Sequence, residues 1–164
     1  MKRGQAIAGS ALFLVIAPGT MAGLLPWLIG RWTLHPEPFW LRITGVVLIV
    51  TGLPVLIDSF ARFAMQGFGT PAPLAPTQHL VVTGAYCYVR NPMYLSVAAL
   101  VFGQAVLLGD WRIALYGAVF ALVCHLFVVL VEEPRLMRDF GADYVTYRDE
   151  VPRWIPRLTP WPAP

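Results

Sequence analysis

The chain has 164 residues, of which 57% are hydrophobic and only 13% charged. An average soluble domain is roughly 25% charged, and a domain this small needs much polar surface to cover its core. This composition excludes disorder, argues against a soluble globule, and points to a membrane protein of one domain, residues 1–164. The net charge is only +3, which fits the excess of Arg and Lys found in cytoplasmic loops of membrane proteins. No basic cluster is interleaved with base-stacking aromatics, so nucleic acid is not an expected partner.

A helix needs about 20 apolar residues to cross a bilayer core of about 30 Å. The first apolar run, Gly4–Gly30, has 27 residues without a formal charge. It is too long for the apolar region of a signal peptide, and further runs follow it, so a retained span is expected. Pro18-Gly19 and Pro26 predict a kink in it. The second run is Phe39–Ile57, with Arg42 close enough to its end to snorkel. These two form an N-terminal part over residues 4–65. Asp58 and Arg62 follow at i, i+4 spacing, which predicts a local ion pair. The stretch Gln66–Gln78 carries Gly67, Gly69, Pro71, Pro73 and Pro76 and reads as irregular. His79–Val89 is apolar but too short to span.

The third and fourth runs, Asn91–Gly109 and Ile113–Val131, each have 19 uncharged residues. Only Gly109, Asp110, Trp111 and Arg112 part them, so they form a tight helical hairpin. After Pro134 the apolar residues Leu136, Phe140, Tyr144, Tyr147 and Val151 recur at helical spacing. Arg135, Arg138, Asp139, Asp143 and Arg148 fill the other positions. That pattern predicts an amphipathic helix lying at the membrane interface. The tail beyond Val151 holds five prolines and two tryptophans and is expected to be extended, with Trp154 and Trp161 as interfacial anchors. The fold class is therefore an all-α integral membrane protein with about four transmembrane helices plus an amphipathic C-terminal interfacial helix.

Four spans put both termini on one side. Lys2, Arg3, Arg62, Arg90, Arg135, Arg138, Arg148, Arg153 and Arg157 then share that side, against Arg31, Arg42 and Arg112 on the other. The positive-inside rule places both termini in the cytoplasm. Eleven of the twelve basic residues are Arg, a bias of GC-rich genomes, and a bacterial inner membrane is the expected setting.

Polar groups at membrane depth are costly unless used or paired. They concentrate where the third span begins and the fourth ends, at Arg90, Asn91, Glu132 and Glu133. The hairpin should bring these four side by side. Such a set either holds a zwitterion, the carboxylate taking an ammonium and the Arg a carboxylate, or forms an ordinary ion pair closing the hairpin. Tyr86, Tyr88 and Tyr94 crowd the same end, as an aromatic belt or as stacking surfaces. His125 lies seven residues before Glu132 on the same helical face, either as a buried neutral histidine or as a polar group lining a substrate cavity. Cys87 and Cys124 have no metal-ligand spacing and read as buried thiols. No glycine-rich nucleotide loop, zinc motif or nucleophile elbow is present.

Two segments carry a resemblance. LVVTGAYCYVRNPMYL (Leu80–Leu95) resembles the first signature of the isoprenylcysteine carboxyl methyltransferase family. EEPRLMRDFGADYVTYRDEVPRWIPRL (Glu132–Leu158) resembles the second, which phospholipid methyltransferases share. The resemblance covers about residues 80–158 and implies a cofactor-binding core there, for an integral membrane enzyme that transfers a methyl group from S-adenosylmethionine. It implies a cytoplasm-facing cofactor pocket and an amphiphilic acceptor, lipid-like or small and hydrophobic, entering from the bilayer. An isoprenylcysteine-type carboxylate is one such acceptor. By motif position it implies cofactor contacts at Tyr86, Arg90, Asn91, Pro92, Tyr94, Glu132, Glu133, Tyr144 and Tyr147, with Arg90 and Glu132 at the catalytic positions. Eukaryotic members have His where Asn91 stands, and Asn cannot titrate near neutral pH. Sterol reductases resemble the same architecture and use NADPH. A membrane reductase on a related fold, and a non-enzymatic scaffold or transporter subunit, are the competing readings.

Overall fold

Residues 3–66 and 79–162 are described by a computed structural model. The proline- and glycine-rich stretch expected to be irregular falls, from Gly67 onward, outside the described residues. All elements among the described residues are helical. The first apolar run is one continuous helical path: α1 (Arg3–Gly19), a π turn (Thr20–Leu24) and α2 (Leu25–Gly30). Next come α3 (Phe39–Gln66) and a short 3-10 turn (Gly84–Cys87). The hairpin pairs α4 (Pro92–Leu108) with α5 (Trp111–Phe127). A second π turn (Val128–Glu132) then leads without a break into α6 (Glu133–Glu150).

Among the described residues, three helical stretches are long and apolar enough to cross a membrane: Ala11–Gly30, Phe39–Gln66 and Trp111–Glu150. The third expected span, α4, is apolar but has only 17 residues, about 26 Å at 1.5 Å per residue. Its surroundings set it apart from the three longer stretches. It packs against α3, α5 and the first π turn, so much of its surface meets protein. Val97 and Leu100 of α4 form a core with Leu56 and Phe60 of α3. Val101, Ala105 and Leu108 form another with Ile113 of α5. Val15, Ile16, Val47, Val50, Leu115 and Leu122 are exposed, an apolar exterior suited to lipid.

The α3–α4 contact is close because small residues face each other. A Cβ on Gly45 would lie 2.6 Å from the Gly103 carbonyl oxygen, and one on Gly103 would lie 2.7 Å from Ile49 Cγ1. In lipid the apolar solvent provides little drive for association, so backbone approach and packing supply it.

Both π turns end two residues before a proline. At Pro26 the cause can be traced. The Leu25 N–H bonds to Thr20 O, leaving Met21 O without its usual donor, and Pro26 has no N–H for Ala22 O. Two side chains take their place. Tyr116 Oη donates to Met21 O at 2.8 Å, and Gln104 Nε2 donates to Ala22 O at 2.7 Å. Neighbouring helices thus satisfy backbone groups that lipid cannot.

The amphipathic stretch after Pro134 is helical, but it continues α5 instead of starting a separate element. It bends at Gly141, whose φ of 52° and ψ of −122° break the helix locally. Its apolar stripe also meets protein in its second half. Tyr144, Tyr147 and Val151 are buried together, with Leu80, Val82 and Trp161 packed against them. The tail is non-helical, but it bends at 153–155 and 158–159 instead of running extended, and its tryptophans turn toward protein. Trp154 meets Tyr94 and His125, and Trp161 meets Tyr147. Backbone hydrogen bonds hold the tail there, from Arg157 N to Tyr88 O and from Trp161 N to Cys87 O, both at 2.9 Å. These bonds and aromatic contacts fix the rings against protein.

Candidate active site

The end of the bundle that carries both termini gathers the expected residues. Asn91 sits just before α4, with Pro92 in the first turn, where a missing N–H costs nothing. This leaves Arg90 at the mouth between α4 and α6. Its side chain is 9% exposed and its Nη1 lies 3.2 Å from Glu133 Oε1. The same Nη1 donates to Tyr144 Oη at 3.2 Å. Arg90 Nε is buried with no partner among the described residues.

The two glutamates are used differently. Glu133 accepts from Arg153 Nε at 2.6 Å and from Arg153 Nη2 at 2.8 Å, in addition to its pairing with Arg90. Glu132 accepts from Tyr94 Oη at 3.1 Å and meets no cation among the described residues. Arg90 and Glu132 therefore share the mouth without pairing; Arg90 pairs with Glu133. Asn91 Nδ2 donates to Arg153 O at 3.1 Å, tying the start of α4 to the tail.

Tyr86 is buried beneath this layer. Its backbone carbonyl accepts from Tyr147 Oη at 2.8 Å, and its ring lies 5.5 Å from that of Phe63. Burial pushes the Tyr86 phenol above the usual tyrosine range, so it stays protonated. Just before it, Gly84 adopts a φ of 61°, and a Cβ there would fall on the Arg62 guanidinium. Arg62 pairs with Asp58 at 2.7 Å, as its spacing predicts, and Arg62 Nη1 also donates to Thr83 Oγ1 at 3.0 Å. The first motif is thereby pinned to the end of α3.

His125 reaches the site indirectly. Its Nδ1 accepts from Trp154 Nε1 at 3.0 Å, and Trp154 packs edge-on to Tyr94. Cys87 and Cys124 are free thiols, and no group of His, Cys, Asp and Glu suited to a metal ion occurs among the described residues. Two open clefts, about 350 and 320 Å³, flank Trp32 at the opposite end and contain no titratable side chain.

Arg153 and Trp154 are not among the residues that motif position assigns to the site. Both stand between Pro152 and Pro156 in the second motif, and the prolines that keep this tail from being helical are the one sign that it reaches back.

The fold and the mouth together define a class: a helical integral membrane protein with a partly buried cluster of arginine, carboxylate and tyrosine at one end. The comparisons narrow it. The family model "Phospholipid methyltransferase" matches residues 40–143, and the chain belongs to that family. It is 39% identical over 84 residues to a protein-S-isoprenylcysteine O-methyltransferase of Schizosaccharomyces pombe, covering 49% of this chain and 34% of that one. It is 26% identical over 151 residues to the mouse and human proteins of the same name, covering 84% of this chain and 50% of each of theirs. The chain thus spans half or less of the length of these curated relatives. No solved structure matches it significantly.

Proposed function

We propose that the chain is a membrane methyltransferase that takes its methyl group from S-adenosylmethionine and passes it to a lipid-like or small hydrophobic acceptor. An isoprenylcysteine-type carboxylate, as the relatives' names suggest, is the first acceptor to test. Residues 80–158 form the cofactor-binding core, and the excess of basic residues at the terminal end places it in the cytoplasm.

The observation that carries this reading is the unfinished bonding at the mouth. Among the described residues, Arg90 Nε is buried without an acceptor, and Glu132 has a tyrosine but no cation. A buried donor without a partner is costly, and a ligand bearing both a carboxylate and a positive charge would satisfy both groups. An amino-acid sulfonium has this charge pattern, and the residues present fit it. Arg90 would hold the donor's carboxylate, Glu132 its cationic part, and Tyr86, Asn91, Pro92, Tyr94, Glu133, Tyr144 and Tyr147 would frame the pocket. The donor, when bound, supplies a methyl already activated for displacement. This chain's own task is then positioning. For a carboxylate acceptor no base is required; for an amine acceptor Glu132 is placed to receive the proton.

The test is calorimetric titration of the detergent-solubilised protein with S-adenosylhomocysteine, beside Glu132→Ala. Micromolar binding that is lost in the variant supports the reading. No binding by folded wild-type protein overturns it.

A further inference from the structure

Among the described residues Glu133 is contacted by two arginines, Arg90 and Arg153 of the tail, and Glu132 by none. Arg153 grips both oxygens of Glu133, at 2.6 and 2.8 Å, whereas Arg90 touches the same carboxylate through Nη1 alone, at 3.2 Å. We propose that Arg153 is a positioning residue for the methyl-donor site: by occupying Glu133 it keeps the Nε edge of Arg90 free for a ligand carboxylate. This inference rests on the methyl-donor reading above.

The physical reason is competition. A carboxylate and a guanidinium prefer a two-bond, fork-to-fork pairing. Glu133 is only 15% exposed in its side chain, so it gains little from water and needs a cation. With Arg153 removed, Arg90 is the remaining cation in contact with it. Arg90 would then rotate to give Glu133 both of its N–H edges, and the buried Nε would no longer face a ligand. With Arg153 present each Glu133 oxygen already accepts from it, which satisfies the carboxylate and weakens its pull on Arg90.

Backbone bonds keep Arg153 in register for this role. Arg90 N donates to Pro152 O at 2.9 Å, and Asn91 Nδ2 donates to Arg153 O at 3.1 Å. The tail residues on either side of that peptide bond are therefore fixed by Arg90 and Asn91 themselves. Trp154, stacked edge-on to Tyr94 and bonded to His125, fixes the following residue.

The experiment is S-adenosylhomocysteine binding by the full chain in detergent, with the thermal midpoint measured in parallel. Wild type is compared with Arg153→Met, Arg153→Lys and the double variant Arg153→Met/Glu133→Gln. The expected result is binding about tenfold weaker in Arg153→Met, partly recovered in Arg153→Lys, whose ammonium cannot form the fork. Adding Glu133→Gln to Arg153→Met should recover affinity, because no anion remains to capture Arg90. A clamp that merely held the tail would behave oppositely, since the second change would loosen it further. Unchanged binding in Arg153→Met, or a double variant that binds no better than Arg153→Met, would overturn the inference and leave the donor reading intact. Absence of binding in folded wild type would overturn both.

Discussion

Each end of the bundle holds an arginine beside a carboxylate, and the two are built differently. At the hairpin end, Asp110 caps the start of α5. Its Oδ1 accepts from Arg112 N and Arg112 Nε, both at 3.0 Å, and its Oδ2 accepts from Arg112 Nη2 at 2.8 Å. One neighbour two residues away engages both oxygens. At the terminal end the partners come from three distant segments, around Arg90, Glu133 and Arg153. Among the described residues, the Arg90 Nε donor is left over there, and Glu132 is left without a cation. A local, saturated pair holds a turn together. A non-local, unsaturated set is a place for something else to bind.

Substitutions at the two ends should therefore separate binding from stability. Arg90→Met is expected to weaken S-adenosylhomocysteine binding by about a hundredfold, the equivalent of about 3 kcal/mol, while a titration of Asp110→Ala matches wild type. Similar losses from both would erase the distinction. Between the ends, Gly103→Leu forces the α3–α4 contact apart and should cost about 1–3 kcal/mol of stability as overpacking. Denaturation in mixed micelles would register it, and an unchanged midpoint would show that the close approach is dispensable. Asp110→Ala removes a helix cap and is expected to cost about 1 kcal/mol in the same assay.

The smallest effect is a pH dependence. Hydrogen bonds from Arg112 hold the Asp110 carboxyl below its ordinary value. A lowered folded-state pKa contributes stability above the unfolded value of about 3.9 and loses it as pH falls through the folded one. Wild type should thus lose part of its advantage over Asp110→Asn as pH drops below about 4. Parallel melting curves for the two proteins would show that the pairing contributes nothing.

The helices were readable because lipid demands long apolar runs, and caps such as Pro92, Gly109 and Asp110 marked their limits. The π turns were not, although Pro18-Gly19 and Pro26 announced a distortion. Which side chain repairs a broken helix depends on packing, and nothing near Gln104 or Tyr116 in the chain points to Met21 or Ala22. The mouth was legible as a cluster, since Arg90 and Glu132-Glu133 lie at the paired ends of a hairpin. Its internal pairing was not. Choosing Glu133 over Glu132 for Arg90 depends on about a quarter-turn of helix orientation and on Arg153, which arrives from a non-helical tail with no periodicity of its own. For the same reason Trp154 and Trp161, read as membrane anchors by composition, proved to pack on Tyr94 and Tyr147.

The tail's return to the first motif also orders events in the life of the chain. Asn91 and the Arg153 carbonyl that it binds are 62 positions apart, with the hairpin and α6 between them. A ribosome makes Arg90 and both glutamates well before the residue that arranges them. Until the tail emerges, the nascent chain carries a mouth whose charges are free to pair wrongly, so this later segment governs when this end of the protein matures.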